Sequence, residues 1–305
     1  MSGLALIGVD WGTSSLRAYA IDGEGRIIDQ QGGGQGILHV AEQRFDPTLS
    51  AMIGDWQGSQ PVPVVLSGMI TSRNGWCETP YLPVPCTLHD LAGGLIARRS
   101  AAGWPLWFVP GVSQAPGASP EALHDVMRGE ETELLGWLSA HDQSSGWFVL
   151  PGTHCKWVRI QDVGVRRFTT FMTGEVFTAL CSHTILGRLM VPDAPFDSAA
   201  FKAGVDAAGG SARTLLAQLF AVRAMPLLGA MPPEQIRDYL AGLLIGSEVM
   251  DMLRVGVTDP VVIGRGDLVM RYCLALEHHG VAARAAEANL VAHGHLALAR
   301  SAGIR

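Results

Sequence analysis

Two short turns carrying Gly and Thr, 140 residues apart, hold side chains suited to phosphate. The first reads Asp10-Trp11-Gly12-Thr13-Ser14, the second Pro151-Gly152-Thr153-His154. A glycine without Cβ lets an anion approach the backbone N–H groups, and the hydroxyls of Thr13, Ser14 and Thr153 add donors. Asp10 closes the apolar run before the first turn. One carboxylate in that position suits hydrated Mg²⁺, which keeps several waters and touches few protein oxygens. Lys156, three residues past Thr153, would add a compact positive charge; a lysine on a strand edge fits that position equally well. One turn from each half would grip a polyphosphate across a cleft.

Phosphoryl transfer also needs a group that takes or orients the acceptor's proton. Asp125, Glu130 and Glu131 stand near the start of a helical pattern, where the helix dipole by itself favours acids. Glu130 directly follows Gly129 and ranks first, Asp125 second and Glu131 third. The segment 67–76 follows a strand and gathers Arg73, Asn74 and Trp76 in a loop. Loops on a rigid scaffold commonly carry binding groups. Arg73 suits a bidentate grip on a substrate carboxylate, with Trp76 and Tyr81 as walls, and Arg128 is a second candidate. Gly264 and Gly266 end a strand and open a helix. They fail the GxGxxG pattern because position 269 is Val, and they better suit contact with a nucleoside. Gly246-Ser247-Glu248 fits either packing under an adenine or close helix packing.

The elements that must position these groups follow from local pattern. Residues 4–10, 15–22 and 26–28 read as three antiparallel strands, and 147–150, 155–162 and 165–171 repeat that arrangement. Gly12, Thr13, Asp22 and Arg26 fall on Gly152, Thr153, Asp162 and Arg166, which points to an internal duplication. Helices are expected near 41–55, 88–98, from Ser119-Pro120-Glu121 to 139, and near 174–190, 211–225, 233–254, 267–278 and 284–300. Strands are expected at 62–66, 106–109 and 260–263. Strand meanders followed by helices, twice over, predict two α/β domains with mixed sheets, 1–146 and 147–305.

Composition narrows the class. The chain has 305 residues, 48% hydrophobic and 16% charged, which excludes a disordered chain. No run approaches the roughly 18 apolar residues of a membrane span, and the start lacks a signal peptide's basic region. A formal charge of −6 leaves no basic footprint for nucleic acid. Five scattered cysteines without a CxxC read as reduced thiols in a cytoplasmic protein. P-loop, nucleophile-elbow, HExxH and protein-kinase motifs are missing from the sequence.

The segments VDWGTSSLR (9–17), SGMI (67–70), DVMRGEE (125–131), LPGTHCKW (150–157) and MTGEVF (172–177) resemble those of the 2-dehydro-3-deoxygalactonokinase family. That family belongs to the sugar kinase, heat-shock and actin-type ATPase superfamily. The resemblance covers nearly the whole chain in order, with Cys155 in place of Ser and Val176 in place of Leu. It implies two ribonuclease-H-like α/β domains with mixed sheets flanking a central nucleotide cleft. It also implies ATP and Mg²⁺, and phosphorylation of the 6-hydroxyl of 2-dehydro-3-deoxy-D-galactonate in galactonate catabolism. The sugar acid is then expected mainly in the first domain and the nucleotide in the second.

A kinase of the epimeric 2-dehydro-3-deoxy-D-gluconate, or of another sugar acid, stays open, as does a homo-oligomer. A sugar-responsive regulator would need a DNA-binding appendage, for which a first turn this near the N-terminus leaves no room. An actin- or chaperone-like ATPase would need extra subdomains that 305 residues do not supply.

Overall fold

A computed structural model describes residues 3–117, 123–210 and 213–305. The helix start expected at Ser119-Pro120-Glu121 and the first two residues of the helix expected at 211–225 lie outside these residues. The chain divides into two compact units, Met1–Ser145 with Val158–Thr169 and Glu287–Arg305, and Gly146–Trp157 with Thr170–Ala286.

In the first unit β1 (Leu4–Trp11), β2 (Leu16–Asp22) and β3 (Ile27–Gly33) form the expected meander. Then come α1 (Phe45–Ile53), β4 (Val64–Ser67), β5 (Tyr81–Pro83), β6 (Cys86–Thr87) and α2 (Leu88–Gly93). They are followed by β7 (Ile96–Arg99), β8 (Pro105–Phe108), β9 (Gly111–Gln114), β10 (Asp125–Met127) and α3 (Glu130–Ala140). The main sheet has the order β3-β2-β1-β4-β8-β7, with β4 parallel to both β1 and β8. All four residues of β4 are buried, as a central parallel strand covered on both faces requires. A small sheet, β10-β9-β5, lies apart from it in the ladder.

The second repeat supplies β11 (Gly146–Leu150), β12 (Cys155–Gln161) and β13 (Gly164–Phe171). Helices α4 (Thr173–His183), α5 (Ser198–Gly210), α6 (Leu215–Leu227) and α7 (Ile236–Arg254) follow. The chain ends with β14 (Val261–Val262), α8 (Gly266–His278), β15 (Arg284–Ala285) and α9 (Leu290–Ser301). The order β15-β14-β11-β12-β13-β6 repeats the first sheet's β8-β4-β1-β2-β3, which is the duplication expected from the turns. Two α/β repeats with mixed sheets are the fold the sequence predicts.

Several expectations need correction. Residues 284–300 are not one helix: β15 and α9 are separate, and α9 belongs to the first unit, not to a domain running from 147 to 305. Its buried face packs on α3 and β1, where glycines allow contact. A Cβ at Gly294 would stand 1.9 Å from the Thr132 carbonyl oxygen, and one at Gly8 2.4 Å from His295 Nδ1. Residues 158–169 join the first unit as well. The stretch read as helix through 139 begins instead with β10, because Gly129 takes a φ of 108° and breaks the chain before α3. The end of the helix read at 88–98 is β7. Helix α5 was not among the expected helices. Asp22 accepts bonds from the Glu24 and Arg26 amides and from Arg26 Nε, whereas Asp162 sits with Val163 in a positive-φ turn, so that match is positional only.

Candidate active site

In the first unit, two parallel strands end together. Asp10 of β1 is in register with Ser67 of β4, and each is followed by a Gly-containing turn. The first turn is closed by Gly12 N–H donating to the Ser15 carbonyl, and Ile37 and Leu38 amides take the Gly12 and Thr13 carbonyls. Thr13 and Ser14 are exposed and Gly12 half-buried. Gly68 has a φ of 87°, and a Cβ there would stand 2.9 Å from the Trp11 carbonyl oxygen and 3.4 Å from Asp10 Oδ1. A Cβ on Gly129 would in turn stand 3.2 Å from Gly68 Cα. The two glycines therefore bring the start of α3 against the end of β1.

That contact assembles a group of acids. Burial pushes the Asp10 carboxyl up to about 6, with Arg17 pulling it down and Glu130 adding to the rise. Glu133 is driven to about 8 by burial and then by the charges of Asp10 and Glu130. Glu131 rises to about 7, from burial first and Glu130 second. Three carboxyls raised by burial and by the charge of Glu130 mark this place as chemically poised. Their roles differ. Glu131 is fully buried, and both its oxygens accept from the Gly129 amide, at 2.9 and 2.7 Å. Glu130 is half-exposed and accepts from the Arg128 amide at 3.0 Å. Asp125 lies on β10, beside His124 in a groove of about 710 Å³ formed with the small sheet. Among the charges that shift Asp10, the structure brings together Asp10, Glu130 and Arg17, not Asp125.

The expected carboxylate-reading loop is only partly assembled. Arg73 is exposed and pairs with Glu78 at 3.3 Å, and Asn74 is exposed beside it. Trp76 packs edge-on against Phe108, with ring centroids 5.7 Å apart, and serves the core more than a pocket wall. Arg128 is occupied within the protein. Its guanidinium donates to the Thr71 carbonyl and hydroxyl, to the Thr79 hydroxyl and carbonyl, and stacks 4.3 Å over the Tyr81 ring. Arg128 therefore clamps residues 71 and 79 together, and its donors are spent there.

In the second unit, the turn 151–154 leaves Thr153 and His154 exposed. Helix α4 begins against it: a Cβ on Gly174 would stand 2.3 Å from the Gly152 carbonyl oxygen, and the Glu175 amide donates to the Thr153 carbonyl at 2.9 Å. His154 Nε2 meets Glu175 Oε2 at 2.6 Å. Gly264 stands at the end of β14, parallel to β11, and its Cβ would be 3.3 Å from the Pro151 carbonyl oxygen. Gly264 thus stands beside the turn 151–154, with Gly266 two residues on at the start of α8. Lys156 is different: it is buried, and its Nζ donates to Thr170 Oγ1 at 2.8 Å. Gly246 packs on Val205 and Ala208 of α5, which settles it as a helix-packing glycine.

Among the described residues no group of three or more His, Cys, Asp or Glu side chains converges as a metal site, and no helix is long and apolar enough to cross a membrane. A Mg²⁺ ion still fits the oxygen donors at Asp10. The acids face Arg17 and, at Glu131, Arg128, whose donors are taken up by residues 71 and 79, and Mg²⁺ needs only one or two carboxylates when phosphates supply the rest.

Sequence reasoning missed Arg17, Glu133 and the glycine contacts at 68 and 174. Glu133 had a signal: it stands three residues after Glu130, on the same helical face. Arg17 lay inside the 9–17 segment without a distinguishing mark.

Residues 10–298 match the model of the family described as 2-keto-3-deoxy-galactonokinase. The chain is 35% identical over 246 residues to the 2-dehydro-3-deoxygalactonokinase of Escherichia coli K12, covering 81% of this chain and 80% of that one. A crystal structure of a Sinorhizobium meliloti protein, provisionally given the same enzyme name, superimposes with a TM-score of 0.89 at 34% identity, over 97% of this chain and 98% of that one. At the level of fold alone, the chain is similar to the activator of 2-hydroxyisocaproyl-CoA dehydratase from Clostridium difficile, with a TM-score of 0.52 at 10% identity, over 98% and 96%.

Proposed function

The chain belongs to the 2-keto-3-deoxy-galactonokinase family, and we propose from that premise how its own residues serve the reaction. The enzyme is an ATP-dependent kinase that phosphorylates 2-dehydro-3-deoxy-D-galactonate, with the 6-hydroxyl as acceptor. An ATP-consuming step in sugar-acid catabolism suits the cytoplasm. The observation that carries the residue assignments is the meeting of Asp10 with the start of α3 across Gly68 and Gly129.

Phosphoryl transfer asks a protein mainly to position its reactants and to balance charge. The backbone N–H groups of residues 13–14 and 152–154 bind phosphate oxygens, aided by the Thr13 and Thr153 hydroxyls. Gly264 and Gly266 lie along the nucleoside. Lys156, buried beside the second turn, contributes positive charge from behind it. Mg²⁺, when bound, would neutralise phosphate charge, and Asp10 would hold it. Glu130 accepts the proton of the sugar hydroxyl as the bond to phosphorus forms. It alone among the acids ranked from sequence is both half-exposed and coupled to Asp10. Glu131, locked onto Gly129, shapes the backbone that presents Glu130. Arg73 takes the C1 carboxylate, since its partner among the described residues, Glu78, is itself exposed.

Coupled kinase assays with both epimers test the substrate. A higher kcat/KM for the galactonate epimer supports the assignment; an equal or higher value for 2-dehydro-3-deoxy-D-gluconate transfers it to that sugar acid.

A further inference from the structure

Glu248 lies in the middle of α7 and is 2% exposed. A buried carboxylate is costly unless its lone pairs are satisfied. Here Trp157 Nε1 donates to it at 2.5 Å and the Tyr272 hydroxyl at 2.8 Å. The Thr173 hydroxyl and the Cys155 thiol complete the set. Four donors saturate the sites of one carboxylate.

The donors come from the elements that bound the turn 151–154. Cys155 and Trp157 open β12, which leaves the turn. Thr173 is the first residue of α4, whose next residue, Gly174, abuts the Gly152 carbonyl. Tyr272 belongs to α8, which begins two residues after Gly264, the residue that meets Pro151. We propose that Glu248 is a positioning residue for nucleotide binding: by joining β12, α4 and α8 it holds the second phosphate turn in its binding shape. An apolar residue could fill the same space, yet it could not fix three elements in register by directional bonds. The inference rests on reading turn 151–154 as a nucleotide phosphate site.

The sharpest test removes one donor and keeps the carboxylate. Thr173→Val should weaken ADP binding, measured by calorimetry, and raise the ATP KM by about tenfold, the size expected for one lost hydrogen bond to a charged group. The sugar-acid KM should stay within about twofold. Thr173→Ser restores the hydroxyl and should restore ADP affinity. Glu248→Gln, which sets an amide donor among four donors, should show the larger loss; if it fails to fold, the Thr173 pair carries the test alone. Thr153→Ala is the control for the underlying reading. If Thr153→Ala weakens ADP binding and Thr173→Val does not, Glu248 has no positioning role and the turn remains a phosphate site. If neither alters ADP binding, the phosphate reading of the turn falls, and the role of Glu248 with it.

Discussion

His295 Nε2 lies 2.8 Å from the Ser67 hydroxyl oxygen, joining the last helix to the residue in register with Asp10. The ring is fully buried, and its Nδ1 has no hydrogen-bond partner among the described residues. A buried N–H without a partner costs more than a buried lone pair, so the neutral tautomer that donates from Nε2 to Ser67 is favoured. Burial pushes the His295 pKa down to about 3. Helix α9 is thereby tied to the strand end that carries Gly68, and through it to the acids of the site.

That pair gives the protein an acid limit. The His295 pKa is depressed in the fold and near 6.5 in the unfolded chain, so its contribution is complete above about 6.5 and is lost as pH falls toward 3. The loss approaches about 1.4 kcal/mol per pH unit within that window. Thermal melts of wild type and His295→Gln at pH 7 and pH 4.5 should show a smaller drop for the variant. Equal drops would place the acid sensitivity elsewhere.

Gly68→Ala should harm activity more than its size suggests. The positive φ is strained for any L side chain, and the added methyl would press on the Trp11 carbonyl and Asp10. A cost of about 1–3 kcal/mol in stability is expected. Turnover should fall as well, because the methyl displaces the Asp10 carboxylate. A variant destabilised to that extent but with unchanged kcat would separate Gly68 from the site.

The sequence showed the two turns and the meanders around them clearly, because hairpin chemistry is local: Gly12 and Thr13 fall between β1 and β2, and Gly152 and Thr153 between β11 and β12. The fate of α9 was not legible. An amphipathic period announces that a helix packs, and says nothing about whether it packs on the preceding repeat or back on α3. Arg128 misled for a related reason, since a guanidinium among acids looks available until the Thr71 and Thr79 oxygens are seen around it. Glu133 could be counted into the helix face with Glu130, but its coupling to Asp10 depends on the approach of two glycines, 61 residues apart, that no period encodes.

Glu133 sets a limit on the alkaline side. Its pKa is raised to about 8, above the unfolded value of 4.5, so the fold bears a growing cost as pH rises through that window. Glu133→Gln should therefore gain melting temperature relative to wild type at pH 8.5 and little at pH 4.5. Asp10→Asn should shrink that wild-type loss and end it at a lower pH, because one like charge beside Glu133 is gone and its folded pKa falls toward 4.5. The same variant should lose about 10²–10³-fold in kcat if Asp10 serves the phosphates. A pH–stability curve unmoved by both substitutions would show that the acids do not interact.

The two arginines of the sugar-acid region should respond in opposite ways. Arg128 donates to four oxygens on two residues and stacks on Tyr81, so Arg128→Met leaves buried acceptors unpaired and should cost about 2–4 kcal/mol in stability. Its effect on KM should track that loss of structure. Arg73 is exposed and, among the described residues, pairs with an exposed Glu78, so Arg73→Ala should change stability by less than about 0.5 kcal/mol. Its KM for the sugar acid should rise about tenfold or more, with the ATP KM unchanged, since a bidentate carboxylate contact is lost. Steady-state kinetics with each substrate varied in turn, alongside thermal melts, distinguish the pair. A rise confined to the ATP KM would move Arg73 to the nucleotide, and a rise in neither would leave the C1 carboxylate to another donor.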